Sequence, residues 1–73
     1  MTYTIASDCF GGYSVHVGTG TMYNMADYFQ TYEKAFECAA NLAKSYKACF
    51  PKASVKVVRD NGLWTPATEL FTI

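Results

Sequence analysis

Residues 31–51, TYEKAFECAANLAKSYKACFP, run from Thr31 to Pro51 and decide how the rest of the chain is arranged. Tyr32, Ala35, Phe36, Ala39, Leu42, Ala43, Tyr46 and Cys49 or Phe50 recur at spacings of three and four, one apolar stripe on a 3.6-residue period. Lys34, Glu37, Asn41 and Lys44 fall on the other side. Thr31 or Gln30 can serve as the N-cap. Glu33 and Glu37 suit the positive end of the helix dipole, and Lys44 and Lys47 suit its negative end. Pro51 stops the helix, because it drives Phe50 towards extended backbone. The pattern predicts a helix over about residues 31–49. Ala39, Ala40 and Ala43 would let it lie close to a sheet.

The flanks read as strands. Thr2 to Ser7 alternates, with Tyr3 and Ile5 on one side and Thr2, Thr4 and Ala6 on the other. Tyr13 to Gly18 alternates again after Gly11-Gly12, which argues for a hairpin of half-buried strands. Thr21 to Met25 reads as a short third strand. Beyond the helix, Ala53 to Arg59 is a strand with Val55 and Val57 on one face and Lys56 and Val58 on the other. Asn61-Gly62 supplies the positive φ of a tight hairpin. Leu63 to Ile73 returns as the last strand, at an edge or bulged because Pro66 cannot donate to a ladder. A two-residue loop pairs Arg59 with Trp64 and turns Trp64 into the core. A loop of three with a glycine bulge pairs Val58 with Trp64 and turns it outward. The expected fold is α+β: a single domain over 1–73, one antiparallel sheet of four to five strands with one helix packed on one face, in the order ββ(β)αββ.

A chain of 73 residues buries only about 60% of its unfolded surface, so its core has little to spare. It compensates with 51% hydrophobic residues, enough apolar mass to exclude a disordered chain. Met1 to Ile5 has no basic start followed by an apolar run, so no signal peptide is expected. No segment approaches the roughly 20 apolar residues of a membrane span. Cys38 and Cys49 fall on one helix, roughly 16 Å apart by helical rise and beyond disulfide reach. With Cys9 they read as free, mostly buried thiols of a cytoplasmic protein. Their spacing is not that of a zinc site.

Charge is sorted along the chain. Residues 1–37 sum to −3, residues 38–59 to +5 and residues 60–73 to −2, so the whole is neutral. The positive stretch holds Lys44, Lys47, Lys52, Lys56 and Arg59 with no acid among them. Lys44 and Lys47 belong to the helix end, Lys52 to the loop and Lys56 to the open sheet face, so the basic residues would wrap around one end of the domain. Together with His16 they are the candidate partner-binding residues. A phosphate backbone or an acidic protein surface suits them, although neutrality makes any autonomous nucleic-acid binding weak and salt-sensitive.

Catalytic machinery is not expected. His16 reads as a residue of the solvated sheet face. Ser14 shares that face, but a strand spacing of two sets the pair about 7 Å apart, too far for a nucleophile and its base. Glu33 and Glu37 suit the helix dipole more simply than a metal. Gly11-Gly12 and Gly18-Thr19-Gly20 are turn glycines without the setting of a phosphate loop. No enzyme, cofactor or metal site is expected.

The alanine-rich helix, Cys49-Phe50, the valine-bearing strand and Asn61-Gly62-Leu63-Trp64 together resemble a family of small phage anti-CRISPR proteins that inhibit the type I-F surveillance complex. The resemblance covers roughly residues 35–64. It implies a phage-encoded stoichiometric inhibitor, acting in the host cytoplasm by protein–protein interaction, which blocks target DNA binding. It implies a host defence complex as partner, and no catalytic residue. Six acids spread over three segments do not form the dense face of a DNA mimic. The alternatives are a small nucleic-acid-binding or accessory module acting through the basic end, or a homodimeric structural protein. Monomer and homodimer both remain open.

Overall fold

The alternating N-terminal residues form a hairpin of β1 (Thr2–Ser7) and β2 (Tyr13–Val17), in register from Tyr3↔Val17 to Ser7↔Tyr13. The structure is a computed structural model and describes residues 1–7, 11–18, 24–62 and 65–73. β3 (Asn24–Phe29) pairs antiparallel with β2, α1 spans Tyr32–Cys49, and β4 (Lys56–Arg59) and β5 (Thr68–Thr72) follow. The strands form one five-stranded sheet in the order β3-β2-β1-β4-β5. The α+β class holds.

One pairing differs from expectation. β1 and β4 are parallel, from Thr2↔Lys56 to Ile5↔Arg59, so the sheet is mixed rather than wholly antiparallel. Direction explains it. β3 runs the same way as β1, since both are antiparallel to β2. α1 then carries the chain back across the sheet, and β4 re-enters running with β1 and takes its free edge.

The helix begins as its cap residue dictates. Thr31 has extended backbone (φ −124°, ψ 150°), and its Oγ1 accepts from Lys34 N–H at 3.3 Å. At the other end Phe50 N–H donates to Tyr46 O at 2.8 Å before Pro51 ends the helix. Ala35, Ala39 and Ala43 form a row at spacing four and are fully buried against Tyr3, Ile5, Val15 and Val57 of the sheet. Small side chains in that row let the helix axis approach the strands. Aromatic rings close the flank: Tyr13, Tyr32, Phe36 and Phe71 run in sequence with centroids 5.6, 6.3 and 5.9 Å apart.

Two strands are displaced from their expected places. The third lies at Asn24–Phe29 rather than Thr21 to Met25, of which residues 21–23 fall outside the described set. Its register slips between Val15 and His16, so Val15 faces Asp27 and His16 faces Met25. That bulge breaks the alternation that would have marked the strand. β5 starts only at Thr68, with Arg59↔Thr68 and Val58↔Glu69. Neither Arg59 nor Val58 therefore pairs with Trp64, and the side of the sheet taken by Trp64 lies outside the described residues. Asn61-Gly62 is a turn inside a longer connection. Gly62 has φ 99°, as a left-handed turn needs, and its N–H donates to Asp60 Oδ1 at 2.9 Å. Asn61 Nδ2 reaches onward to Pro66 O at 3.0 Å and Thr68 Oγ1 at 2.7 Å.

Candidate functional site

Two parts of the molecule bring polar chemistry together. The first is the sheet face turned away from α1. It carries Thr4, Ala6, Ser14, His16, Lys56 and Val58 by strand alternation. The centre of this face is not solvated as expected: Thr4 is 4% exposed and Ser14 5%, and Ala6 and Val58 are buried. Buried polar groups need partners. Thr4 Oγ1 donates to Gly18 O at 2.8 Å, and Ser14 Oγ donates to Ala6 O at 3.4 Å.

Ser14 Oγ and His16 Nε2 lie 2.7 Å apart, within hydrogen-bond distance. The expected separation of the pair is overturned. The two residues share one face of β2, and their side chains lean together across a spacing that the backbone alone would leave open. Burial lowers the His16 pKa, and the negative charge of Asp60 pulls it partly back up. Serine, histidine and aspartate are the residue types of an activated nucleophile. Here the serine is enclosed, and the Asp60 carboxylate accepts the Gly62 N–H. Attack on a substrate would require Ser14 to be uncovered. As placed, Ser14 ties β2 to β1 and holds the His16 ring.

The second part is the basic segment, and it is divided further than expected. Lys44 and Lys52 are exposed. Lys47 is half-buried, and its Nζ donates to Ala53 O at 2.6 Å, pinning the loop between α1 and β4. Lys56 Nζ lies 3.8 Å from Glu69 Oε1 on the neighbouring strand. Arg59 is elsewhere: its guanidinium stacks 4.8 Å from the centroid of Tyr32, in the first turn of α1. Lys47 belongs to the last turn, about 22 Å of helical rise from Tyr32. The lysines share one end of the domain and Arg59 occupies the other.

Phe50 escaped the sequence reading as a surface residue. It lies 55% exposed at the lysine end, its ring centroid 4.8 Å from that of Tyr46. The available signal was its position, one turn past the stripe's last anchored residue and directly before Pro51. Cys49 is exposed and Cys38 half-buried, so the expectation of mostly buried thiols fails for Cys49, while Cys9 lies outside the described residues. Burial, with Asp27 nearby, raises the Cys38 pKa.

Two concavities are formed by described residues. One of about 320 Å³ sits at the C-terminal ends of β1 and β4, among Ser7, Arg59, Asp60 and Asn61. The other, about 390 Å³, separates α1 from edge strand β3, between Phe29, Cys38 and Leu42. Among the described residues no three His, Cys, Asp or Glu side chains converge as a metal site, and no helix is long and apolar enough to cross a membrane. Comparison of the chain with family models, with curated proteins and with solved structures gives no match.

Proposed function

We propose that this chain is a non-catalytic stoichiometric inhibitor, encoded by a phage, which binds a host CRISPR RNA-guided surveillance complex in the cytoplasm and blocks its binding of target DNA. The observation that carries this is the resemblance of residues 35–64 to anti-CRISPR proteins directed at the type I-F complex. The segment is one continuous stretch of chain: the C-terminal half of α1, the loop held by Lys47, β4 with its buried Val57 and Val58, and the turn at Asn61-Gly62. An inhibitor of this kind needs a rigid domain and an exposed face. Lys44, Lys52 and Lys56 supply exposed positive charge for an acidic partner surface, and Lys47 shapes the loop between them. Arg59 and His16 would belong to separate contacts, since neither lies at the lysine end.

Purified type I-F surveillance complex, titrated with this protein before target duplex is added, tests the proposal. Loss of the complex–DNA band shift in proportion to added protein, with the protein co-eluting on the complex, is expected. A complex that binds target equally well with and without the protein would refute it.

A further inference from the structure

The sheet has two edge strands, β3 and β5, and an edge strand offers its outward N–H and C=O groups to any other strand. Both are interrupted. On β3 the register passes from Val15↔Asp27 to His16↔Met25 and skips Ala26. On β5 it passes from Val57↔Phe71 to Val58↔Glu69 and skips Leu70. Each irregularity thus puts its extra residue in the edge strand, which twists that strand and breaks the even row of donors that an added strand must match. β3 carries a further block. Gly18 N–H donates to Thr2 O at 2.7 Å, so β2 bonds to β1 through its even-numbered residues and to β3 through Tyr13 and Val15. Their partners Phe29 and Asp27 turn their backbone groups inward, and Tyr28 between them turns its N–H to the free edge. That N–H is already taken: it donates to Asp27 Oδ1 at 2.8 Å. Asp27 is exposed and the bond joins neighbours in the chain, so it adds nothing to the packing of β3 on the sheet.

We infer that Asp27 is an edge guard: its carboxylate occupies the outward amide of β3, closes that edge to strand addition by a second copy of the chain, and keeps the protein monomeric. A guard is needed because zero net charge provides little long-range repulsion between copies. A second β3 arriving antiparallel would have to break a charge-assisted hydrogen bond before it could pair with Tyr28. It would also bring two Asp27 carboxylates to one seam, where like charges oppose pairing. The skipped Ala26 leaves only a short regular run, Asp27 to Phe29, for such a strand to match, and Tyr28 supplies the outward donor of that run. Blocking one amide therefore removes the centre of the available edge. The inference selects the monomer over the homodimer for the isolated protein and stands apart from the inhibitor proposal.

Light scattering over a concentration series tests it, together with amide hydrogen exchange followed residue by residue. The native protein should stay monomeric throughout. Asp27→Ala should form dimers in a fraction that rises with concentration, and its Tyr28 amide should exchange about 10-fold more slowly at the highest concentration than at the lowest. Asp27→Val, which suits a strand better, should do the same by a second route. Asp27→Asn keeps an oxygen acceptor without the charge and should remain chiefly monomeric, which separates the hydrogen bond from simple repulsion. Glu33→Ala removes an exposed acid from the helix, away from either edge, and should change nothing. Self-association of the native protein, or Asp27→Ala and Asp27→Val variants that stay monomeric, would overturn the inference. So would an Asp27→Asn variant that dimerises as readily as Asp27→Ala, or dimers whose Tyr28 amide gains no protection. Asp27 is exposed, so its replacement leaves the core intact, and thermal unfolding of each variant checks that directly.

Discussion

On the helix side of the sheet, Ile5, Val15 and Val57 meet the alanine row of α1. On the opposite side Thr4 and Ser14 are nearly as enclosed, yet their neighbours are His16 and a backbone carbonyl or two. Burial on the first side is a matter of volume. On the second it is a matter of whether each donor and acceptor has somewhere to go. Equal depth therefore does not mean equal sensitivity: the first side responds to a lost methyl group, the second to a lost hydrogen bond or a gained proton.

Four substitutions and conditions probe the contrast, each read by urea denaturation. Ile5→Ala should be the most damaging, at about 2–5 kcal/mol, since a fully buried side chain facing a helix leaves a cavity that cannot collapse. A loss no larger than that of a surface change would mean the helix does not hold this face. Gly12→Ala comes next, at about 2 kcal/mol. A Cβ there would stand 2.7 Å from Phe29 O, and the Tyr28 ring is closer still; the ring can swing away but the carbonyl cannot. If Gly12→Ala proves neutral, the approach of β3 to the β1–β2 turn is looser than described. Ser14→Ala should remove about 1 kcal/mol by deleting the hydrogen bond between Ser14 Oγ and His16 Nε2. An apolar face would instead gain from that change.

Acidification should produce the smallest effect. The His16 pKa is depressed in the folded state, so the unfolded chain takes up the proton first as pH falls below the ordinary histidine value. Stability is unaffected above that value and declines as pH falls towards the folded pKa. His16→Gln should flatten the decline relative to the parent protein. A parent that grows more stable over the same acid range would place Asp60, rather than burial, in control of the imidazole.

The helix and the first hairpin were legible because their information is local. Thr31 caps, Pro51 stops, and the apolar positions between them repeat at the helical period. Tyr3, Ile5, Tyr13, Val15 and Val17 alternate without interruption on paired strands. What was not legible depended on distant parts of the chain. β3 was obscured by a bulge whose partner lies on another strand, and the parallel entry of β4 depends on the direction of β3. Asn61-Gly62 carried the signal of a tight hairpin, but Asn61 spends its amide on Pro66 and Thr68 and the turn sits within a wider loop. At the candidate sites, residue identities were readable and their grouping was not. The lysines were visible as a run, while the removal of Arg59 to Tyr32 and the meeting of Ser14 with His16 required side-chain directions.

The parallel seam between β1 and β4 also governs the order of assembly. Thr2 meets Lys56, so the central strand of the sheet stays half-edged until a segment more than fifty positions away arrives. The β1–β2–β3 meander can form from neighbours, but it presents a bare row of amides along β1 until the helix has crossed over and delivered β4. Closing so long a loop is slow. Until then the exposed edge is open to any extended strand nearby, and a chain with zero net charge has little repulsion to keep other copies away. Expression at low concentration should therefore favour correct folding, for a reason set by topology rather than by final stability.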